Sequence, residues 1–464
     1  MPDVDPVLVL GGGPAGLATA WALEELQCPY LALEAAPVPG GNARTLRSGD
    51  FLYDTGPHRF HDRDPEATRR VQALLGPDLH EVRAPSRIFW HGRFVDFPLR
   101  PFQSLTAGGF AQGVAAVLGF CAVRLSRHRR ADHGDFASWA RDTFGPTIAD
   151  SFLIPFSEKL WGLPGGELSP DISGRRLPGF TLYGILRDLL PGARAAHLEG
   201  RFLYPRRGYG QIVEAMASRL DPGRLRCGCR VVRVAAERNR IHTVEYVTDG
   251  QRLSLGASAV VNTLPITLLA RILDPAPPPH ILEAARRLRF REVVLVTLFL
   301  DQPTVSDAAC IYFPQREFEF TRVHEPRNRS AEMSPPGKTS LVVELPCFEG
   351  DAVWTREDSA LVAGAVRDLD RIGLIRAPAA AGSTVTRLSR AYPVYARDYR
   401  AASGAVLDHL RGFENLATLG RGGGFFYGHV HDFITEALAT ARAIVAARAR
   451  EPAGAVNTLA RAAP

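Results

Sequence analysis

The stretch VLVLGGGPAGLATAWALEELQCPYLALEA, beginning at Val7, constrains the fold more than any other part of the chain. Val7–Leu10 is a short apolar run of the kind that forms a strand buried on both faces. Gly11, Gly13 and Gly16 follow as G-x-G-x-x-G. Pro14 and Ala15 open a run with helical spacing that continues to Leu26. Tyr30–Leu33 reads as a second strand, and Glu34 ends it, 23 positions after Gly11. Each part has a physical role. Gly11 permits a tight turn, Gly13 lets the backbone approach a pyrophosphate, and Gly16 lets the helix pack on the strand. The helix N-terminus presents free N–H groups and a positive dipole end to the phosphates. Glu34 can accept hydrogen bonds from a ribose. The unit predicts a dinucleotide-binding α/β domain.

The residues beyond Glu34 narrow the cofactor. A second glycine pair, Gly40 and Gly41, is followed by Asn42 in GGNARTL. FLYDTGPHRFHD then reads as a strand ending in a turn that carries His58. Such an extension resembles that of two-domain flavoproteins, where the backbone runs past the rest of the FAD. FAD is therefore the expected cofactor.

Phe202–Leu220 leads from a glycine-rich turn into an amphipathic helix. Cys229–Pro265 alternates apolar and polar residues, as antiparallel strands do, and ends in ASAVVNTLP, a buried strand. Val232 in this stretch is a candidate cofactor contact. The expected organisation is a discontinuous Rossmann-type FAD-binding domain (residues 1–80, 200–270 and 405–450) with an inserted mixed α+β substrate domain (85–199 and 271–404). The first insertion reads as helical. The second holds strand candidates Val293–Asp301, Cys310–Pro314 and Ser340–Leu345, and residues 451–464 form an Ala/Pro-rich tail.

Charge and cysteine usage exclude several function classes. The net charge is +6, and no basic block exceeds RHRR at Arg127–Arg130, so no nucleic-acid stripe accompanies a motif. Only Lys159 and Lys338 could supply an amine. Six cysteines lack zinc-ligand spacing, and the N-terminus lacks a basic signal-peptide region, which gives a reduced, cytoplasmic expectation. Leu105–Val123 is long and apolar but interrupted by glycines and Gln112. It reads as a buried helix of the substrate domain, with a weak membrane-surface contact or a homodimer face as alternatives.

In their order, these pieces resemble the flavoprotein superfamily that includes UDP-galactopyranose mutase, protoporphyrinogen oxidase and the monoamine-oxidase-like enzymes. The resemblance to the mutase runs from Val7 to about Ile444, through GGNARTLRSGDFLYDTGPHRFHDRD, FSEKLWGLPGGELSPDISGRRLP, FEFTRVHEPRN and LGRGGGFFYGHVHDFITEAL. It implies that Arg322 lies near the flavin and a sugar diphosphate, and that Arg176 binds the diphosphate. It further implies that Trp161 lines the sugar site, that Tyr427 bonds a phosphate, and that Arg421 contacts cofactor or substrate. His58 would sit near the flavin ring. Gly420–Arg421 would end a strand beneath the cofactor, and a helix from Val430 would aim its N–H groups at the flavin pyrimidine.

The implied reaction is a redox-neutral sugar-ring contraction of a nucleotide sugar on reduced FAD. An FAD-dependent oxidase or dehydrogenase is the alternative, and a flavin-binding scaffold without catalysis is a third. Three positions depart from the mutase pattern. Leu345–Pro346 stands where a Tyr-Pro pair is expected, Phe156 replaces a tyrosine, and His429 replaces an aspartate. A metal site at His429 and His431 is disfavoured, because alternate positions entering a helix diverge.

Overall fold

Val7–Leu10 is the central strand of a five-stranded parallel sheet. Tyr30–Leu33 pairs with it on one side and Ala259–Asn262 on the other. Leu416–Thr418 and Leu225–Arg226 complete the edges. The sheet thus gathers chain stretches more than two hundred residues apart. Its three inner strands are wholly buried because both faces are covered. Helix Pro14–Glu25 and helix Val430–Arg450 pack together over one face. The other face meets helix Ile266–Ile272 and an antiparallel layer, Arg230–Glu237, Arg240–Thr248 and Gln251–Gly256. Each fully buried Leu or Val there contributes about 1.5–3 kcal/mol. The tight turns of this layer fall at Arg238–Asn239 and Asp249–Gly250, all four with positive φ, as two-residue hairpins require.

This computed structural model describes residues 5–97, 110–125, 133–176, 201–377 and 380–450. The architecture is α/β, with a mixed α+β insertion built on a seven-stranded sheet. Phe290–Leu300 lies inside that sheet, buried at every residue. Ala380–Pro393 flanks it on one side; Thr339–Cys347, Arg322–His324 and Cys310–Tyr312 follow on the other. The strands expected in the second insertion are therefore present.

Among the described residues, the first insertion is not helical throughout. It opens with the hairpin Ser86–Trp90 and Arg93–Phe97, which pairs with Cys310–Tyr312 and extends the sheet. Burial of Ile88, Trp90 and Val95 drives this placement. Helix Phe110–Leu125 is also not a buried helix. Ala116 and Phe120 are buried, but Leu118 is 63% exposed. Residues 105–109 of the apolar stretch lie outside the described residues. Among the described residues, no helix is long and apolar enough to cross a membrane.

Helix Ile154–Trp161 is pinned by Lys159, whose ammonium donates to the carbonyls of Phe313 (2.5 Å), Gln315 (2.8 Å) and Phe318 (3.0 Å). Lys338 pairs with Asp301 at 2.7 Å on the surface. Both lysines of the chain are thus engaged in structure.

Candidate active site

A cavity of about 490 Å³ runs between the parallel sheet and the seven-stranded sheet. One end is the glycine turn. Gly11 has φ +104°, closed to side chains, and a Cβ on Gly16 would fall 1.8 Å from the Gly11 carbonyl oxygen. Gly13 caps helix Pro14–Glu25 without a side chain, and Gly13, Pro14 and Ala15 line the cavity. An uncapped helix N-terminus at a cavity wall is an anion site in waiting. Glu34 is held there by two backbone donors, Gly12 N–H at 2.6 Å and Ala36 N–H at 2.7 Å. The second glycine pair lies against the first. Gly40 N–H donates to Gly12 at 2.8 Å, and a Cβ on Gly41 (φ +54°) would sit 3.1 Å from Gly13 Cα. Asn42 donates to the Ser389 carbonyl at 3.0 Å, tying this loop to the seven-stranded sheet. These residues fit a dinucleotide. The backbone is bare where phosphates must approach, and the carboxylate stands where a ribose would lie.

The opposite end is aromatic and cationic. His58 stacks on Tyr209 (4.9 Å, 23°). Burial, reinforced by the Arg421 charge, pushes its pKa down to about 3, so the ring is neutral. Arg322 directs Nε (3.0 Å) and Nη2 (2.6 Å) at one oxygen of Glu344, and Nη2 also donates to the Tyr392 hydroxyl at 2.9 Å. The pair follows from register, since Arg322 lies directly opposite Glu344 on the neighbouring strand. Burial pushes the Glu344 carboxyl up while the Arg322 charge pulls it down. Tyr392 stacks on Tyr427 (5.6 Å, 20°). Five arginines line the cavity (Arg59, Arg63, Arg322, Arg390 and Arg421), against one carboxylate, Glu34. Among the described residues, no lysine lines it.

The other residues singled out from sequence fall as follows. Arg421, Tyr427, His429, Val430 and Gly420 line the cavity with Arg322 and His58. Trp161 packs behind the tyrosines, 6.2 Å from Tyr427 and stacked on Tyr395, and is 5% exposed. Arg176 ends a 3-10 turn, Pro170–Arg176, and its side chain lies outside the described residues. Val232 sits at a register shift between Val231 and Arg233, away from the cavity wall. Gly420–Arg421 does not end a strand. The strand stops at Thr418, and Gly420–Gly423 is a helical turn. Gly420 N–H there donates to Glu436 at 3.2 Å, and the turn needs φ +78° at Gly420. Helix Val430–Arg450 does begin at Val430, with Asp432 accepting from His429 N–H at 2.8 Å. His429 lies 5.8 Å from His61 and 5.5 Å from His431, ring to ring. Among the described residues, no group of three His, Cys, Asp or Glu could hold a metal.

The sequence reading missed Tyr392, Glu344 and Glu436. Tyr392–Pro393 supplies a hydroxyl in the cavity, whereas Leu345 lies in the apolar core of the seven-stranded sheet. Phe156 stacks on Phe152 (6.2 Å, 3°) away from the cavity wall.

Burial pushes the Glu436 carboxyl from 4.5 up to about 7, with Asp432 adding to the effect and Gly420 N–H opposing it. The folded chain then holds a proton that the unfolded chain releases between those two values. Stability should therefore fall as pH rises through this window, at no more than about 1.4 kcal/mol per pH unit for one proton. Glu436→Gln should flatten that slope in thermal unfolding followed from about pH 5 to 8. An unchanged slope would remove Glu436 as its source.

A bare glycine turn, a ribose-height carboxylate and a second cationic chamber define a flavoenzyme of the FAD-binding α/β class. Residues 14–445 match the family described as flavin containing amine oxidoreductase, and the chain belongs to it. FAD is its cofactor. The chain is 22% identical over 408 residues to protoporphyrinogen oxidase 1, chloroplastic, of Spinacia oleracea, covering 79% of this chain and 70% of that one. Its fold is similar to that of reduced UDP-galactopyranose mutase (TM-score 0.84, 19% identity, 96% of each chain). It is also similar to putrescine oxidase solved with putrescine bound (TM-score 0.63, 17% identity, 95% of this chain and 99% of that one).

Proposed function

We propose that this protein acts on a nucleotide-diphosphate sugar with reduced FAD and without net oxidation, in the manner of UDP-galactopyranose mutase. The observation that carries the reading is the charge of the cavity lining, five arginines, one of them paired with Glu344, against one lining carboxylate. The cofactor pyrophosphate needs only part of that charge, and guanidinium forks match phosphate oxygens. In this reading residues 1–80, 200–270 and 405–450 hold the cofactor, and residues 85–199 and 271–404 hold the substrate. Glu34 would bond the ribose, and Gly11–Gly16 would cradle the pyrophosphate.

Bound FAD would supply a nucleophilic and redox-active ring. The chain's own residues then bind and orient. Arg421 and Tyr427 hold the diphosphate, and the resemblance to the mutase adds Arg176 as a further phosphate ligand. Arg322, fixed by Glu344 and Tyr392, places a positive charge where the nucleotide leaves. Neutral His58 stays able to accept or donate one hydrogen bond beside the ring, and His429 stands at the sugar end. Trp161 holds the tyrosine pair from behind.

The test is to incubate dithionite-reduced protein with UDP-galactopyranose and related sugar nucleotides. Isomerised product, or a flavin–sugar adduct trapped by borohydride, supports the reading; the absence of both opposes it. The similarity to protoporphyrinogen oxidase favours a second reading, an FAD-dependent oxidase. Hydrogen peroxide formed by the air-oxidised protein with a candidate substrate would select it. The structural use of both lysines argues against a lysine-assisted amine oxidase.

A further inference from the structure

Two stacked, electron-rich rings such as Tyr392 and Tyr427 form a surface that attracts an organic cation. In this chain an arginine of its own lies against both rings. The Arg421 guanidinium carbon lies 5.0 Å from the Tyr427 ring centre and 5.5 Å from that of Tyr392. Nη1 donates to the carbonyl of Ala391, the neighbour of Tyr392, at 2.8 Å. Nη2 donates to the carbonyl of Gly428, the neighbour of Tyr427, at 3.0 Å. Each arm of the fork is thus tied to the backbone beside one ring. Neutral carbonyls hold the group but do not cancel its charge. Among the described residues no carboxylate pairs with Arg421, and its Nε is buried without a hydrogen-bond partner. Arg322 differs, since it is paired with Glu344 at 2.6 Å.

We propose that Arg421 is the specificity-determining residue of this cavity. Its guanidinium occupies the cation position on the Tyr392–Tyr427 pair, so the cavity takes phosphate-bearing anions and excludes alkylammonium ligands. The inference rests on the anionic-substrate reading above and deepens it. Removing the charge while leaving the rings should invert the preference, because the rings would regain a free attractive face and the phosphates would lose a fixed charge.

The experiment titrates the FAD-loaded full chain with two probes, UDP and benzyltrimethylammonium. Perturbation of the flavin absorbance and the shift in unfolding temperature are both recorded. Wild type should respond to UDP and not to the ammonium. Arg421→Gln, which keeps a donor for one carbonyl, should lose UDP affinity and gain ammonium affinity, each by at least about tenfold. Arg421→Lys, which keeps the charge and loses the fork, should retain the wild-type preference. Ammonium still excluded from Arg421→Gln would overturn the proposal. So would Arg421→Lys behaving like Arg421→Gln, since packing rather than charge would then be the cause. Should Arg421→Gln lose its FAD, the unfolding shift still reads both probes; should it fail to fold, ammonium binding to Arg421→Lys would by itself overturn the proposal. A wild type that ignores UDP, with ammonium admitted by Arg421→Gln, would sink the sugar-nucleotide reading and leave the role of Arg421 standing.

Discussion

Gly16→Ala is expected to give a colourless protein. The added Cβ would lie 1.8 Å from the Gly11 carbonyl oxygen, 2.9 Å from its carbon and 3.4 Å from Thr263 Oγ1. The first two atoms are backbone, and Gly11 N–H is already bound to the Leu33 carbonyl at 2.8 Å. The turn cannot swing aside as a flexible side chain would. Helix Pro14–Glu25 must instead lift off the sheet, and its N-terminal N–H groups move with it. Overpacking of this kind costs about 1–3 kcal/mol of stability. Misplacing the phosphate donors should cost more, at least about a hundredfold in FAD affinity, or roughly 2.7 kcal/mol. The check is the ratio of visible flavin absorbance to protein after purification and after reconstitution with excess FAD. Gly49→Ala is the control. Gly49 also has a positive φ, +57°, but nothing lies within 4 Å of its Cβ position. It should be slightly strained and fully yellow. A yellow Gly16→Ala protein would mean that the turn does not hold the pyrophosphate.

The difference between these two glycines explains how much of the molecule is legible in its sequence. Val7 to Glu34 builds strand, turn, helix, strand and acid within one continuous run, and Glu34 bonds Gly12 only 22 positions away. A short-range unit of this kind carries its own signal, as do the turn residues Asp249–Gly250. The aromatic and cationic end of the cavity has no such unit. Thr339–Cys347 is buried at every position, so it shows none of the period-two alternation that would say which way Glu344 points. The one signal available was a lone carboxylate inside LVVELPC, since a buried charge needs a partner. Gly420–Gly423 reads as the end of a strand for a related reason. Glycines have no preference of their own, and the helical turn is set by Glu436, sixteen residues later. The hairpin Ser86–Trp90 and Arg93–Phe97 is hidden in the sequence because its pairing partner, Cys310–Tyr312, is more than two hundred residues away. Tyr392 belongs to a strand whose neighbour, Phe290–Leu300, is remote in sequence, so only tertiary structure brings it to Arg322.

Arg322→Ala should be more destabilising than Arg322→Ala combined with Glu344→Gln, although the second protein carries one more change. Arg322 is 8% exposed and Glu344 1%. Taking away the guanidinium leaves a carboxylate in the interior without its partner, which costs about 3–5 kcal/mol. Neutralising Glu344 as well removes the stranded charge and should return a substantial part of that loss. Activity should behave differently. On the proposed sugar-nucleotide reading both proteins lack the positive charge assigned to the leaving phosphate, so both should lose at least about a hundredfold in kcat, in line with the loss of one preorganised electrostatic contact. Glu344→Gln alone keeps that charge and should mainly disturb its direction, raising KM with a smaller fall in kcat. Unfolding midpoints and steady-state rates on the four proteins of this cycle separate the two roles. Equal stability of the single and double variants would show that Glu344 is not held charged by Arg322. Recovery of activity in the double variant would oppose that reading, because a neutral pair cannot replace the cation it assigns to the leaving phosphate.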